Sequence, residues 1–464
     1  MFVVNKITKV GTTLVNHKKK AIAGAIAVYF GVEYAKGNIR DSKIRNYYSQ
    51  IAVKYGQETV KISGSPRRLT ILVNKSANER KVFDKFKDNA LPLFHLAGIE
   101  VTVLICKDAE ELEAIGATIN EDEADCLYVV GGDGTMSRLL TGIFKHKEEA
   151  ELPIGMFPGG NANRGLLDNR FDVFAVRDDV AAFCESAMAV IENTKQSVYP
   201  VKWEISKKAE EPGSEADLFE LQTMYSLNGL RSGWFAMVEE HKHKLWYWGG
   251  LDRYFTYLWD GIKRFPGEYE VCVNYTKFCP GCDRCLSSVK KSVKKIVEKE
   301  SGRSSWWSML IGSGIKIGSH KKIEAEEVLP VNEECGKAAD ESIVSRGIDI
   351  IVDNETFKRG NGLKFVSGGE NFNRIEAVKD GWKRTAAGGS VFVSPSNEFY
   401  KKATAISGNS MELLFKEMPK DWTYVWIAGE KIDLGEAYNT SSIKAVATKK
   451  KIEMYLPDGI RYVL

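Results

Sequence analysis

The chain has 464 residues, of which 44% are hydrophobic and 27% are charged. These values are typical of a globular protein with two or three domains, and they exclude a disordered, a collagen-like or a multi-pass membrane chain. Lys and Arg number 65 against 62 Asp and Glu, which gives a net charge of +3. A chain with so balanced a charge is not expected to bind nucleic acid.

The first 32 residues are basic and contain no Asp or Glu. A lysine triplet at residues 18–20 precedes an apolar run at residues 21–32, which is shorter than the about 20 residues that a membrane-spanning helix needs. This pattern favours a mitochondrial targeting or membrane-anchoring segment at residues 1–34. A secretory signal peptide and an ordinary buried helix are the alternatives. Residues 35–65 are expected to connect this segment to the first folded domain.

Strands and helices alternate over residues 66–205. Short apolar runs rich in β-branched residues indicate buried strands, and segments with apolar residues at helical spacing lie between them. The pattern predicts strands at residues 69–73, 99–106, 126–130, 153–157 and 198–205, and helices at 79–97, 109–119, 136–147 and 177–194. Such alternation predicts an α/β domain with a parallel sheet, whose ligands bind at the carboxyl ends of the strands.

A polar segment at residues 210–217 marks a change of pattern, and residues 206–464 are predicted to form a second domain. Short β-like runs dominate it, at residues 222–227, 269–274, 347–352, 390–393, 423–427 and 451–456. We expect a mostly antiparallel β-sandwich. Residues 276–345 are more polar and are interpreted as an insertion in this domain.

The strongest motif is Gly131-Gly132-Asp133-Gly134-Thr135, which lies between a predicted strand and a predicted helix. Glycines let the backbone approach an anion closely, and a helix N-terminus offers N–H groups and positive potential to phosphate. We expect Thr135 to cap the helix, and Asp133 to bind Mg²⁺ or to accept a proton from an attacking hydroxyl. The motif is not a Walker A loop, because the Gly-Lys-Ser/Thr ending is absent.

A second glycine loop follows the strand predicted at residues 153–157. It contains Gly159, Gly160, Asn161 and Asn163. Because the two loops follow neighbouring strands, we expect them to form two walls of one phosphate-binding cleft. On its own, this second loop would indicate only a connecting turn.

The two loops resemble those of the diacylglycerol kinase catalytic-domain superfamily, which includes sphingosine, ceramide and bacterial lipid kinases. Within it, the likeness is clearest to the mitochondrial acylglycerol kinases. It also rests on residues 90–103, on the motif at residues 228–233, on the aromatic run at 245–251 and on the basic N-terminus. The likeness is clear over about residues 60–265 and fainter from there to the C-terminus.

The resemblance implies a two-domain fold that binds ATP and Mg²⁺ between its domains, with the second domain binding lipid. It implies catalytic roles for Asp133, which also binds Mg²⁺, and for Glu436. The residues that it implies for ATP binding are Asn74, Gly131, Gly132, Asp133, Gly134, Thr135, Gly159, Gly160, Asn161 and Asn163.

Several residues depart from the pattern of the superfamily. The replacements are Lys75 for Pro, Arg138 for Glu, Asn161 for Thr, Arg164 for Asp and Val201 for Asp. The late Asp-Gly-Glu motif is matched by Asp433-Leu434-Gly435-Glu436, with an extra Leu, or in a competing alignment by Ala428-Gly429-Glu430. Lost acidic residues are expected either to be offset by Arg–phosphate contacts or to weaken catalysis.

The function that the resemblance implies is phosphorylation of a lipid. The enzyme would transfer the γ-phosphate of ATP to the free hydroxyl of monoacylglycerol and diacylglycerol, giving lysophosphatidic and phosphatidic acid. It would act at the mitochondrial inner membrane, facing the intermembrane space. The alternative is a kinase-fold scaffold subunit of the inner-membrane carrier translocase, which acts in protein insertion without kinase activity. An NAD kinase, the third candidate, would not explain the N-terminus.

The kinase motifs leave two further features of the sequence unexplained. Cys279, Cys282 and Cys285, with Cys335 as a candidate fourth ligand, have a spacing suited to structural Zn²⁺, and disulfides are the alternative. Residues 288–297 have a basic amphipathic helical pattern that suits an anionic membrane surface, against the alternative of a solvated helix.

Overall fold

The computed structural model describes a defined part of the chain. The described residues are 18–57, 66–75, 77, 81–160, 179–208, 219–241, 244–245, 251–279, 282, 332–353, 362–368, 372–386, 404–435, 439 and 441–462.

The helices are α1 (Lys18–Gly56), α2 (Val82–Asn89), α3 (Leu91–Leu96), α4 (Ala109–Thr118), α5 (Asp133–His146), α6 (Val180–Ile191), α7 (Trp234–His241), α8 (Asp252–Lys263) and α9 (Arg374–Ala386). The strands are β1 (Arg68–Asn74), β2 (Glu100–Cys106), β3 (Cys126–Gly131), β4 (Ile154–Pro158), β5 (Lys195–Val198), β6 (Val201–Lys208), β7 (Phe219–Ser226), β8 (Leu230–Gly233), β9 (Tyr269–Lys277), β10 (Ala338–Ser345), β11 (Gly347–Asp353), β12 (Gly362–Ser367), β13 (Thr404–Lys416), β14 (Tyr424–Ile427), β15 (Glu430–Asp433), β16 (Ser442–Ala447) and β17 (Ile452–Tyr455).

The first sheet has the strand order β2-β1-β3-β4-β17-β5. Strands β1 to β4 are parallel to their neighbours, β17 is parallel to β4, and β5 is antiparallel to β17. Strands β3 and β4 are buried along their whole length, as expected for parallel strands covered on both faces. This confirms the predicted α/β domain with a parallel sheet.

Helices cover both faces of the first sheet. Successive residues of a strand point to opposite faces, and accordingly Tyr128 and Val130 pack with α1, α2, α3 and α6, whereas Leu127 and Val129 pack with α4 and α5. The result is a three-layer domain that holds the carboxyl ends of β1, β3 and β4 at one edge.

The second half of α1 packs against α6 through Ile44, Tyr48 and Ala52, which lie four residues apart. The Tyr48 hydroxyl donates a 2.7 Å hydrogen bond to the buried carboxylate of Glu185, and burial is the main cause that raises the Tyr48 pKa. Arg461, near the C-terminus, also binds Glu185 at 2.6 Å. Among the described helices, none combines the length and apolar character needed to cross a bilayer.

In the described residues, eleven strands form the second sheet, in the order β15-β14-β8-β11-β12-β13-β16-β6-β7, with β9 pairing with β13 and β10. All these pairs are antiparallel. This confirms the mostly antiparallel second domain. Helices α7, α8 and α9 belong to it and form a separate small core around Trp234 and Phe235.

The predicted domain boundaries stay predictions. Residues 18–56, predicted as parts of two segments, lie in the single helix α1. Strand β6, placed in the first domain, pairs within the second sheet, while β17 near the C-terminus pairs within the first. The chain therefore passes from the first sheet to the second and returns. The strand predicted at residues 390–393 lies outside the described residues.

Candidate functional site

The glycine turn after β3 forms the start of helix α5. Gly131 ends the strand, Gly132 occupies the N-cap position with extended backbone angles, and Asp133 is the first helical residue. Gly132, as the N-cap residue, has no side chain to cap the helix, and the first turn directs backbone N–H groups and positive potential towards the edge of the sheet. Thr135 was expected to cap the helix, and this prediction is wrong. The helix begins at Asp133, three residues earlier than predicted, because Gly132 already turns the chain out of the strand.

Asp133 is buried at the junction of the two sheets. Its side chain is 6% exposed, and its Oδ2 accepts a 3.2 Å hydrogen bond from Nδ2 of Asn228, which follows β7. The Ser226 hydroxyl donates a 2.6 Å hydrogen bond to the carbonyl of Asn228 and thereby fixes the turn. The carboxylate of the first-domain motif is therefore oriented by a residue between two strands of the second sheet.

Asn74 lies at the end of β1, beside the glycine turn. Its Nδ2 donates a 2.9 Å hydrogen bond to Oγ1 of Thr135. The carboxyl ends of β1 and β3 are thus joined by side chains as well as by the strand register. Asn74 and Thr135, both predicted site residues, are in contact.

The second glycine loop begins at the same edge of the sheet. Gly131 is paired with Pro158, the last residue of β4, so the two loops leave neighbouring strands at one level. Gly159 and Gly160 follow at once and are buried. The predicted residues Asn161 and Asn163 lie outside the described residues, so their part in the loop stays a prediction.

A hairpin turn of the second sheet lies against the start of α5. It joins β14 to β15 through Ala428 and Gly429, whose φ angles are 55° and 79°. A Cβ atom added at Gly429 would lie 3.3 Å from the backbone nitrogen of Gly134 and 3.5 Å from Cβ of Asp133. The turn and the helix start are therefore in close contact.

The same hairpin is bonded to α5 by an ion pair. Nε and Nη2 of Arg138 donate hydrogen bonds of 2.7 and 2.6 Å to the two carboxylate oxygens of Glu430. Glu113 of α4 lies 3.6 Å from the same guanidinium. These contacts, with the hydrogen bond to Glu430 as the first cause, raise the pKa of Arg138 further. The basic side chain that replaces the acidic residue of the superfamily is thus held by a carboxylate.

Two segments were candidate matches to the late Asp-Gly-Glu motif. Of these, Ala428-Gly429-Glu430 lies beside the glycine turn. Glu436, the predicted second catalytic acid, lies outside the described residues. Asn228 was not predicted as a site residue, although its Asn-Gly pair between two β-like runs signals a turn.

Of the predicted zinc ligands, Cys279 and Cys282 lie together with Cys335, and Cys285 is outside the described residues.

Comparison with known proteins relates this geometry to a family. The family described as the diacylglycerol kinase catalytic domain matches residues 68–189. An uncharacterized protein of Caenorhabditis elegans is 34% identical over 462 residues, which cover 100% of this chain and 99% of that protein. The mitochondrial acylglycerol kinase of Mus musculus is 27% identical over 57% of this chain and 59% of its own length. A diacylglycerol kinase from Bacillus anthracis str. Sterne superposes on 86% of this chain and 100% of that chain, with a TM-score of 0.42 and 11% identity.

The matched residues cover strands β1 to β4 of the first sheet, the glycine turn, helices α2 to α5 and most of α6. Residues 68–189 thus carry the match to the diacylglycerol kinase catalytic domain, and the chain fits the superfamily of lipid kinases that share this domain. Its similarity to the acylglycerol kinases spans about three fifths of the length of those proteins.

Proposed function

We propose that the protein is an ATP-dependent kinase of acylglycerols. It transfers the γ-phosphoryl group to the free hydroxyl of monoacylglycerol or diacylglycerol and gives lysophosphatidic or phosphatidic acid. The observation that carries the proposal is the buried carboxylate of Asp133 at the start of α5, which is oriented by Asn228 of the second domain. A helix start of this kind suits phosphate, and the acceptor lipid would enter from the second domain.

The residues at the glycine turn fit ATP with Mg²⁺. Mg²⁺ takes one or two carboxylates together with phosphate oxygens and water, and Asp133 supplies a carboxylate next to the backbone N–H groups of α5. When bound, the ion would neutralise charge on the transferring phosphoryl group. Glu430 is engaged by Arg138, so Asp133 is the acidic group that we assign to this role.

Each part of the motif has a separate task in this proposal. The N–H groups at the start of α5 bind phosphate oxygens, and Asn74 holds Thr135 so that the first turn keeps its shape. Asp133 accepts the proton of the lipid hydroxyl or binds the metal ion. Catalysis then depends on positioning and charge stabilisation, as in phosphoryl transfer generally.

Radiolabel transfer tests this function. Purified protein, ATP labelled at the γ-phosphate and a panel of neutral lipids should give labelled lysophosphatidic or phosphatidic acid. Asp133→Asn keeps the shape of the side chain but removes its charge, so turnover should fall by roughly 10²-fold or more while ATP binding persists. Gly132→Glu places a negative charge beside the phosphates and should abolish ATP binding. Undiminished turnover in Asp133→Asn would remove the catalytic assignment.

We further propose that helices α8 and α9 dock on an anionic membrane. The two helices are antiparallel neighbours, because Nε1 of Trp382 donates to the carbonyl of Tyr254 at 3.0 Å and Arg374 contacts the carbonyl of Ile262 at 3.4 Å. The two helices expose four large apolar side chains, which define the proposed docking face, namely Trp259 (51%), Ile262 (60%), Ile375 (67%) and Trp382 (41%). A lipid kinase needs such a surface to reach a substrate that stays in the bilayer.

The charges around this face favour an anionic surface. The exposed basic residues beside it are Lys263, Arg264, Arg374, Lys379 and Lys383. The aspartates of the same helices, Asp252, Asp260 and Asp380, are buried, and Glu376 is half-buried. Tryptophan and isoleucine flanked by basic side chains suit the headgroup region of anionic lipids.

The cellular location is proposed as the mitochondrial inner membrane, with the catalytic domain facing the intermembrane space. The support is the basic, acid-free sequence of residues 1–32. Helix α1 also leaves Val28, Val32 and Ile39 exposed before its packed residues begin at Ile44, as expected for a segment with a partner outside the described fold.

A second candidate function is a kinase-fold scaffold in protein insertion at the inner membrane. The Arg138–Glu430 ion pair favours it, because an Arg stands where the superfamily has an acid and also neutralises a nearby carboxylate. A scaffold should tolerate both Asp133→Asn and Gly132→Glu. If wild type and both variants are equally inactive on every lipid, yet all restore membrane-protein insertion in cells, the scaffold replaces the kinase.

A further inference from the structure

Three cysteines converge in the second domain where the long connection between β9 and β10 begins and ends. Cys279 follows the end of β9, and Cys335 precedes the start of β10. These strands are paired, with Thr276 opposite Ala338, so their ends bring the two cysteines to the same place. Cys282 joins them from the first residues of the long connection between the strands.

The three sulfur atoms lie within 4.8 Å of one another. Cys279 and Cys282 are buried and Cys335 is half-buried. Among the described cysteines none is joined in a disulfide. Thiolates that bind one Zn²⁺ at about 2.3 Å in tetrahedral geometry are separated by about 3.8 Å. All three sulfur pairs are thus close enough for one ion to bind the three thiolates. A disulfide would join only two of these cysteines.

The backbone on both sides of the cluster is ordered by the sheet. The Phe278 amide donates to the carbonyl of Ser407 at 3.3 Å. The Cys279 amide donates to Oδ1 of Asn409 at 3.3 Å, and Asn409 lies at the irregularity where β13 shifts its register. On the other side, the Cys335 amide donates to the carbonyl of Asn332 at 3.3 Å. The backbone at two of the three cysteines is thus held by hydrogen bonds that need no metal.

We propose that Cys279, Cys282 and Cys335 form a structural Zn²⁺ site that closes the connection between β9 and β10. Binding replaces three S–H bonds with three S–Zn bonds and releases three protons to solvent. The fourth position is taken by water or by a further ligand, and the prediction that Cys285 supplies it stays a prediction. The site joins the two ends of a long segment in the folded protein. Because the unfolded chain has no such site, the free energy of Zn²⁺ binding adds to the stability of the folded state.

The first test measures metal in the full-length protein. Protein purified under reducing conditions, without added metal, should contain about one Zn²⁺ per chain by elemental analysis. Replacement of the metal by Co²⁺ should give the thiolate-to-cobalt charge-transfer absorption of a tetrahedral sulfur site. Both readouts use the wild-type protein, so they stand even where a variant fails to fold.

The second test assigns the ligands. Cys279→Ser, Cys282→Ser and Cys335→Ser should each lower the affinity for Zn²⁺ by at least the about 10–100-fold that the loss of an outer-shell partner costs, and the purified variants should contain less zinc than wild type. Cys272→Ser is the matched control, since Cys272 lies on β9, is half-buried and stands outside the cluster. It should keep the full zinc content. Cys285→Ser shows whether the fourth ligand is a cysteine, and the three-cysteine site is upheld only if the other three variants lose zinc.

Native thiol labelling separates zinc from the alternatives. Burial raises the pKa of Cys106 and Cys126 to about 11 and of Cys184 to about 12, so these thiols stay protonated and unreactive at pH 8. The cluster cysteines should become reactive only after a zinc chelator is added. Protein with no zinc and with cluster thiols reactive from the start overturns the proposal. So does protein with no zinc in which two of these cysteines are linked by a disulfide. Lipid phosphorylation is not used as a readout, so the kinase proposal stands or fails separately.

Discussion

Arg138 binds both carboxylate oxygens of Glu430, at 2.7 and 2.6 Å. The guanidinium belongs to the helix that follows the glycine turn, and the carboxylate belongs to the hairpin of the second sheet. A bidentate pair fixes orientation as well as distance. The two residues therefore join the two sheets directly beside Asp133.

A double-mutant cycle measures this contact. Both side chains are about one quarter exposed, so solvent screening reduces the pair to about 1 kcal/mol. Arg138→Met and Glu430→Gln should each lower the unfolding temperature by about 2–4 °C. The double variant should be no less stable than the worse single variant, because the interaction can be lost only once. Additive losses in thermal unfolding would show that the two side chains are not coupled.

Asn228 is expected to act through Asp133 and not on the substrate. Asn228→Ala removes the donor to Oδ2 of Asp133, so the carboxylate is less well oriented. We expect kcat to fall by about 10–100-fold and the Mg²⁺ concentration that gives half-maximal activity to rise. The change in KM for ATP should be smaller. The control is Asn89→Ala, which removes another buried amide that accepts a hydrogen bond from Arg45. This control should lower stability without changing the Mg²⁺ dependence. Equal Mg²⁺ curves for the two variants would contradict the positioning role.

The contact between Asn228 and Asp133 is an example of a contact that the sequence alone does not predict. The two residues are 95 positions apart, and Arg138 and Glu430 are 292 apart. Local periodicity carries no information on such pairs, because they depend on how two sheets pack. The glycine turn itself was predictable, since a buried strand, glycines and a helix follow one another within a short segment.

The same holds for the sheets, in which the strands could be predicted from the sequence but their pairing could not. Strands β1, β3 and β4 were predicted from their continuous apolar runs. The segment predicted as one strand at residues 198–205 is divided between β5 and β6, and Pro200, which has no N–H to donate, lies at the division. Strand β17 was predicted as a strand, but its parallel pairing with β4 leaves no local trace in the sequence.

Gly429 is expected to be essential for the contact between the hairpin and α5. Its φ of +79° is unfavourable for a residue with a side chain, and this conformation costs such a residue about 1–2 kcal/mol. A Cβ atom would also make a tight contact with the backbone nitrogen of Gly134. Gly429→Ala should therefore lower both thermal stability and ATP affinity. Gly98→Ala is the matched control, because Gly98 has a φ of +70° and its nearest neighbour would lie at 3.9 Å. It should lower stability alone, and a similar loss of ATP affinity in both variants would refute the contact's role.

The N-terminal segment is expected to direct the protein to mitochondria. A fluorescent reporter fused to residues 1–34 should accumulate there, because lysines next to an apolar run provide both the import signal and an anchor. Replacing Lys18, Lys19 and Lys20 by Glu in the fusion should abolish this location. A reporter that stays in the cytosol, or that enters the secretory pathway, contradicts the targeting proposal and leaves the kinase proposal untouched.

The proposed docking face of α8 and α9 is expected to determine activity on membranes. Trp259→Glu combined with Ile375→Glu places two acids where apolar side chains are exposed. Activity on diacylglycerol in anionic vesicles should fall by roughly tenfold or more, since apolar insertion and attraction to the lipid charge are both lost.

Activity on the same lipid dispersed in detergent micelles should stay within about twofold, because the variant leaves the glycine turn unchanged. Leu221→Glu combined with Val344→Glu is the control, as both residues are exposed and apolar but lie on strands β7 and β10. This control should bind and act on vesicles like wild type. If the α8–α9 variant loses activity equally in vesicles and in micelles, the face contributes to the fold or to catalysis and not to membrane docking.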